Sequence, residues 1–194
     1  MAKQQHMSFS LEGLMKQVGE QKYPPVEKWN PDFCGDIDMR IAADGTWFYM
    51  GTPITRSRMV KLFASVLRKD DDAQTYLVTP VEKVGITVDD AHFIAVDLEA
   101  GQNNGTQILV FETNVGDKIV ADKEHSIRVV TNKETGEPRP YIKVRGNLDA
   151  LISRNVFYQL VELAHSVERE AGTELIVESD GEAFSLGLWS DDEC

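Results

Sequence analysis

Two arginines at corresponding places in the chain are the first candidates for chemistry. Arg56 and Arg154 each directly follow a Thr or Ser that can cap a helix. At a helix N-terminus the backbone N–H groups and the helix dipole favour an anion, and a guanidinium group can hold phosphate or carboxylate through two hydrogen bonds. The pair therefore predicts anion binding. With 32 acidic residues in the chain, ion pairing that braces the fold is the alternative interpretation, and both stay open.

A second candidate cluster lies on one strand of the C-terminal half. Tyr141, Lys143 and Arg145 alternate in sequence, so on a strand their side chains share one face. An aromatic ring beside two cations suits a ligand that carries a base and a phosphate. In the N-terminal half, Arg40 shares a comparable face with two aspartates. A solvated strand face would carry the same residue types, so the exposed-strand interpretation stays open as well.

Patterns of catalytic and metal-binding residues are mostly missing. The four histidines are scattered and lack the spaced partners of a metal centre. The glycine motifs of phosphate loops, dinucleotide-binding folds and nucleophile elbows are absent. Paired carboxylates occur, but they are frequent in so acidic a chain that they do not indicate acid–base catalysis. The sequence therefore predicts no catalytic residue and no metal site, and it identifies no cofactor.

The elements that must position these residues occur twice. Each half carries a strand, a turn, a second strand, a helix and a further strand, and residues 54–79 align without a gap with residues 152–177. Apolar residues at helical spacing predict a helix from Thr55 that closes at residues 69–72, and a second over residues 148–168.

Strands are predicted throughout the rest of the chain. Residues 36–50 and 173–189 have the alternation and the turn residues of hairpins, and residues 75–130 predict one strand after another. The pattern predicts an α+β fold of internally duplicated strand-turn-strand-helix-strand units with mainly antiparallel sheets.

Three regions follow from this pattern. Residues 1–22 form an amphipathic N-terminal arm, residues 23–80 the first α/β repeat domain, and residues 81–190 a second, larger β-rich domain with a C-terminal helix and hairpin. Two similar domains present similar surfaces to one another, and such seams commonly bind ligands. We therefore expect a ligand site between the domains.

Composition limits the class of partner. The 194 residues carry a formal net charge of -12, so the protein repels nucleic acid polymers and anionic membranes unless it has a local basic patch. Cys34 and Cys194 are too far apart in sequence to indicate a disulfide framework. The sequence shows neither a secretory signal nor an apolar stretch long enough to span a bilayer, which predicts a cytoplasmic protein.

Several linked motifs carry a resemblance to a known family. They are Pro24, Pro25 and Trp29, followed by residues 35–41, 44–47, 77–83, 113–117 and 140–146. Together they resemble the bacterial domain-of-unknown-function family numbered twelve eighty-five, over residues 24 to about 163. The resemblance implies a duplicated α/β core, a C-terminal half superficially similar to pleckstrin-homology folds, a nucleotide-like ligand between the halves and a role in signal transduction. No activity is established for that family, so the resemblance leaves enzyme status open, and the missing catalytic patterns favour a protein that is not an enzyme.

The leading functional hypothesis is a regulatory protein that binds a small anionic or nucleotide-like ligand at the seam between the domains. The candidate ligand-binding residues are Arg40, Arg56, Tyr141, Lys143, Arg145 and Arg154. One alternative is a protein-interaction module that docks a protein partner through the pleckstrin-like half. Another is a hydrolase of a small phosphorylated compound.

Overall fold

The structure, a computed structural model, describes residues 23–189 and consists mostly of β-strands. The predicted amphipathic arm over residues 1–22 lies outside this range. No helix within the described range is long and apolar enough to cross a membrane.

The N-terminal half forms one six-stranded sheet and one α-helix, preceded by a 3-10 turn at Val26–Lys28. Its elements are β1 (Phe33–Ile41), β2 (Trp47–Tyr49), β3 (Thr52–Pro53), α1 (Ser57–Ser65), β4 (Leu67–Lys69), β5 (Thr75–Val78) and β6 (Lys83–Val88). The strand order is β3-β2-β1-β6-β5-β4. Two antiparallel three-stranded meanders are thus joined by the parallel pairing of β1 with β6.

The second sheet repeats this topology. Its strands are β7 (Phe93–Asn103), β8 (Thr106–Thr113), β9 (Lys118–Val120), β10 (Ile127–Thr131), β11 (Pro138–Arg145) and β12 (Leu148–Ile152). The order β10-β11-β12-β7-β8-β9 again joins two antiparallel meanders through a parallel pair of the first strand with the sixth. The duplicated two-domain architecture predicted from the sequence is therefore confirmed.

A helix and a third sheet complete the described chain. They are α2 (Arg154–Leu163), β13 (His165–Arg169), β14 (Gly172–Ser179) and β15 (Glu182–Trp189), and the three strands form an antiparallel meander. The order α1-β4-β5 recurs as α2-β13-β14 at the predicted offset. The two six-stranded sheets, however, consist of β1–β6 and β7–β12, so α2 and β13–β15 follow the second sheet.

The predicted division between residues 80 and 81 falls inside the first sheet, because β6 pairs with β1 and β5.

Both predicted helices are too long. The first ends at Ser65, and β4 follows it because the backbone from Leu67 pairs with β5. The predicted helix over residues 148–168 is wrong at both ends, where β12 and β13 lie. In β12, Leu148, Ala150 and Ile152 are buried on one face, which is the two-residue period of a strand.

A buried arginine fastens the proline-rich N-terminal segment to the first sheet. Arg68 of β4 is 8% exposed, and its Nη1 donates to the carbonyl oxygens of Val26 at 2.9 Å and Trp29 at 2.7 Å. Its Nε and Nη2 donate to the two carboxylate oxygens of Asp70, which also accepts a hydrogen bond from Lys83 at 2.7 Å. The side chain thus satisfies two backbone carbonyls and one carboxylate at once.

A buried histidine links the two domains where the chain passes from one to the other. His92 is 4% exposed; its Nε2 lies 3.0 Å from Oγ1 of Thr75 in β5, and its Nδ1 accepts the backbone N–H of Asp149 in β12 at 3.3 Å. Burial, helped by the charge of Lys69, lowers the pKa of His92 to about 4. The imidazole is therefore neutral at pH 7, with Nε2 as the protonated nitrogen that donates to Thr75.

The turn between β1 and β2 provides a second contact between the domains, which a glycine substitution can test. Gly45 has φ +84°, and an added Cβ would lie 2.8 Å from both Nδ2 of Asn114 and Cγ1 of Ile94. Gly105, in the β7–β8 turn, has φ +83° and no atom within 4 Å of such a Cβ. Alanine at either site bears the same left-handed strain of about 1 kcal/mol.

We expect Gly45→Ala to destabilise the protein by about 1–2 kcal/mol more than Gly105→Ala, because only the first substitution overpacks the interface between the domains. Denaturant unfolding of both variants measures the difference. Equal losses of stability would contradict a tight contact of this turn with the second domain.

Candidate functional site

Arg145, at the end of β11, reaches across the seam between the domains. Its Nη2 donates to the carbonyl oxygen of Ala64 in the last turn of α1 at 2.5 Å, and its Nη1 lies 3.3 Å from Oδ2 of Asp117. The guanidinium carbon also lies 4.4 Å from the ring centroid of Tyr23 and 5.2 Å from that of Phe93. Burial lowers the pKa of Arg145, and the nearby Asp117 carboxylate opposes that shift.

Three adjoining cavities are lined in part by Arg145, and we call them together the seam cleft. The first, of about 740 Å³, is lined by Lys123, Glu124, His125, Ser126, Lys143, Arg145 and Gly146. The second, of about 370 Å³, adds Tyr23, β9 and Val144, and the third, of about 180 Å³, adds Lys61, Ala64 and Ser65 of the first domain. The seam cleft therefore extends from the second domain to α1.

The first cavity concentrates positive charge. Lys143 is half-buried and Lys123 is exposed, and neither makes an ion pair with any residue between 23 and 189. Both line the cavity with Arg145, and the one acidic lining residue is Glu124. In a protein of net charge -12, this is a local basic patch.

A carboxylate orients His125 at the boundary of the first two cavities. Oδ1 of Asp122 accepts the backbone N–H of Glu124 at 2.8 Å and that of His125 at 2.7 Å, and lies 3.0 Å from Nδ1 of the His125 ring. Burial raises the pKa of Asp122, but these hydrogen bonds outweigh it, so the net shift is downward. The ionised carboxylate thus fixes the loop that carries Lys123 and His125.

Tyr23 lines both smaller cavities, and Asp117 lines the third. Burial, the hydrogen bond to Asp117 and the charge of that carboxylate all raise the pKa of the Tyr23 phenol. The phenol is therefore protonated at pH 7, and its hydrogen-bond partner is the Asp117 carboxylate. Because Tyr23 also stacks against the Arg145 guanidinium, the N-terminal segment is part of the cleft.

The other residues of the predicted strand cluster make separate contacts. Tyr141 is 8% exposed; its hydroxyl donates to Asp90 at 2.7 Å and accepts from Nε of Arg139 at 3.2 Å, and Arg128 stacks on its ring. A register shift between Lys143 and Arg145 interrupts the regular alternation predicted for β11. The structure thus brings Lys143 and Arg145 to one cavity and holds Tyr141 in a different network.

The remaining predicted arginines lie outside the seam cleft. Arg40 pairs with Asp89 at 2.8 Å and stacks on Phe48, so it braces β1 against the turn that follows β6. Arg56 is the exposed N-cap residue of α1. Arg154, the first residue of α2, donates through Nε to the hydroxyl of Tyr158 at 2.9 Å. The two corresponding arginines therefore do not meet at one site.

Sequence reasoning did not identify Lys123, His125, Lys61 or Tyr23. The first two lie in the loop between β9 and β10, and the pattern there carries no strand or helix signal. No excess of cationic residues marks that loop, because Lys123 and His125 alternate with Asp122 and Glu124. Over residues 23–189 no group of three or more histidine, cysteine or acidic side chains is placed to hold a metal ion.

The fold and the cleft define a class: a protein of two duplicated β-rich domains with a cationic cleft at their seam. The chain belongs to the DUF1285 family, because its N-terminal domain model, of unknown function, matches residues 24–91 and its C-terminal domain model, also of unknown function, matches residues 92–186. The boundary between the two family domains, between residues 91 and 92, lies at His92, the residue that links the two domains in the structure. No curated protein matches the chain.

Two solved structures of the same family are similar to the chain. A DUF1285 family protein from Silicibacter pomeroyi DSS-3 is 48% identical, with a TM-score of 0.78 over 91% of this chain and 94% of that one. A DUF1285 family protein from Shewanella baltica OS155 is 30% identical, with a TM-score of 0.50 over 64% of this chain and 90% of that one.

Proposed function

We propose that the protein binds a small, multiply charged anion, such as a phosphorylated or nucleotide-like metabolite, in the seam cleft. The observation that carries the proposal is the convergence of Lys123, Lys143 and Arg145 on one cavity of a strongly acidic protein, with the two lysines outside any ion pair of residues 23–189. Like charges held together around an open volume repel one another, and an anion between them relieves that repulsion.

The proposed role is regulatory. Arg145 lines all three cavities and also donates to Ala64 of α1 and to Asp117, so an anion that draws the guanidinium towards itself competes with contacts between the domains. Ligand binding and domain contact would then be coupled through one side chain. Hydrolysis of a phosphorylated compound and docking of a protein partner remain alternative hypotheses.

The finer features of the proposal have support of their own. In the C-terminal half, α2 follows the two meanders of the second sheet, and this order supports a likeness to pleckstrin-homology folds. The presence of both sheets and helices supports the α+β description. The two cysteines, far apart in sequence, support a reducing, cytoplasmic location.

Charge removal in the first cavity tests the proposal. We expect Lys143→Gln and Lys123→Gln each to weaken the binding of pyrophosphate or AMP about tenfold, the equivalent of one charge-assisted hydrogen bond. Isothermal titration calorimetry at fixed ionic strength measures the affinity. Lys133→Gln, at an exposed residue that lines none of the cavities described, removes the same charge elsewhere and should leave the affinity unchanged.

Two outcomes would contradict anion binding in the cleft. Failure of wild-type protein to bind phosphate, pyrophosphate, AMP or ATP would remove the proposed ligand class. Equal weakening by Lys133→Gln would mean that the general field of the protein, rather than the cavity, governs the interaction.

A further inference from the structure

A groove of about 500 Å³ lies beside the start of α2, away from the seam cleft. Its main walls are Pro138, Pro140, Ile152, Arg154, Phe157 and Tyr158. It shares no lining residue with the three cavities of the cleft. Proline rings, an isoleucine and two aromatic rings give it apolar walls, in contrast to the charged walls of the first cavity. Its volume and composition are those of sites that bind small organic molecules.

The charges around this groove differ in how they are neutralised. Arg139 forms a short ion pair with Asp90 and also donates to Tyr141, so its charge is satisfied within the protein. Arg154 donates through Nε to the Tyr158 hydroxyl, its guanidinium carbon lies 5.9 Å from the centroid of that ring, and it forms no ion pair with the part of the chain that the structure describes. Two terminal nitrogens of Arg154 therefore stay able to donate to a ligand.

Glu137 also lines the groove, and it forms no ion pair with Arg139 or Arg154. Its negative charge opposes the entry of a multiply charged anion. One arginine with donors to spare, beside one glutamate and apolar walls, is complementary to a ligand with a single negative charge on an apolar body.

We propose that this groove, the Arg154 groove, is a second ligand site that binds a small monocarboxylate with an aryl or alkyl body. The apolar body lies between the proline rings and Phe157, and the carboxylate accepts hydrogen bonds from the terminal nitrogens of Arg154. The proposal is independent of anion binding in the seam cleft, because the two sites have no residue in common and the groove takes one negative charge on an apolar body, whereas the cleft takes a small, multiply charged anion.

Three probes separate the contributions of the charge and the apolar body. We expect 3-phenylpropanoate to bind full-length protein about tenfold more tightly than the neutral 3-phenylpropanamide, since only the carboxylate gains charge-assisted hydrogen bonds from Arg154. Propanoate keeps the charge and lacks the ring, so it should bind more weakly than either. Two-dimensional NMR titration gives each affinity and places the perturbed amides at β11 and the first turn of α2.

The chain offers a matched control for the arginine. Arg154→Gln should abolish the preference for the carboxylate over the amide while weak binding of the ring persists. Arg56→Gln removes the corresponding arginine at the start of α1, which lines none of the cavities described, and should leave the tenfold preference intact. Both positions are exposed, so both variants are expected to fold.

Three results would overturn the proposal: equal affinity for 3-phenylpropanoate and its amide, the same loss of preference in Arg56→Gln, or perturbed amides that lie at Lys123 and Lys143 instead of α2. The last result would assign the carboxylate to the seam cleft and leave the proposed function standing. Loss of pyrophosphate binding in Lys143→Gln together with unchanged phenylpropanoate binding would support two separate sites.

Discussion

Replacing Arg68 with methionine is expected to lower the free energy of unfolding by about 3 kcal/mol, because the substitution leaves buried polar groups without their partner. The carbonyl oxygens of Val26 and Trp29 lose their donor, and Asp70 keeps only Lys83. Methionine has a similar length and packs well in cores, so the loss reports the hydrogen bonds and the charge rather than an empty volume. Chemical denaturation of the two proteins measures it.

Arg58→Met is the matched control for this prediction. Arg58 lies exposed on α1, where arginine and methionine have similar helix propensities, so the control should change stability by less than 0.5 kcal/mol. Limited proteolysis adds a local measurement, since the Arg68 variant should be cut more readily between residues 24 and 31. If both variants lose the same stability, Arg68 does not anchor the N-terminal segment.

Stability is expected to fall by about 2 kcal/mol between pH 7 and pH 5 because of His92. The folded protein holds the pKa of this imidazole at about 4, whereas the unfolded chain titrates near the ordinary value of 6.5. Between these two values the unfolded chain binds a proton that the folded protein does not, so stability is complete above about pH 6.5 and is lost as the pH falls towards 4. Urea unfolding at a series of pH values follows the loss.

His92→Gln should remove this pH dependence, and His165→Gln should retain it. His165 lies exposed on β13, so its replacement makes the same chemical change at the surface and leaves His92 in place. Carboxylates with lowered pKa values, such as Asp70, lose their stabilising contribution mainly at lower pH, below the ordinary pKa of an aspartate. A slope between pH 5 and pH 7 that survives in His92→Gln would assign the effect to other groups.

Local pattern was sufficient to predict most strands but not where helices begin and end. The alternation around Trp47 and the turn at Asp180 have local signals, and both hairpins are present. In residues 148–152, leucine, alanine and isoleucine satisfy a helical period and a strand period equally well. Pairing with β11 and β7 decides between them, and that pairing joins residues distant in the chain.

The candidate site was predictable only in part, for a related reason. Lys143 and Arg145 lie two residues apart on β11, so their proximity follows from sequence although a register shift separates them. Lys123 lies in a loop, and only the packing of that loop beside β11 brings it to the same cavity. Arg56 and Arg154 correspond in sequence, but each lies at the start of its own helix, and correspondence between repeats does not imply contact.

The pairing of the first strand with the sixth in each sheet bears on how the chain folds during synthesis. Phe33 meets Lys83 across β1 and β6, about 50 residues later, so closing this pair is a non-local and slow step. The first sheet nevertheless needs nothing beyond Val88, and it can be complete before β7 leaves the ribosome. The second sheet closes at Ile152, and α2 with β13–β15 then adds to a finished surface. A chain of residues 1–91 released from the ribosome should therefore already contain a protease-resistant N-terminal domain.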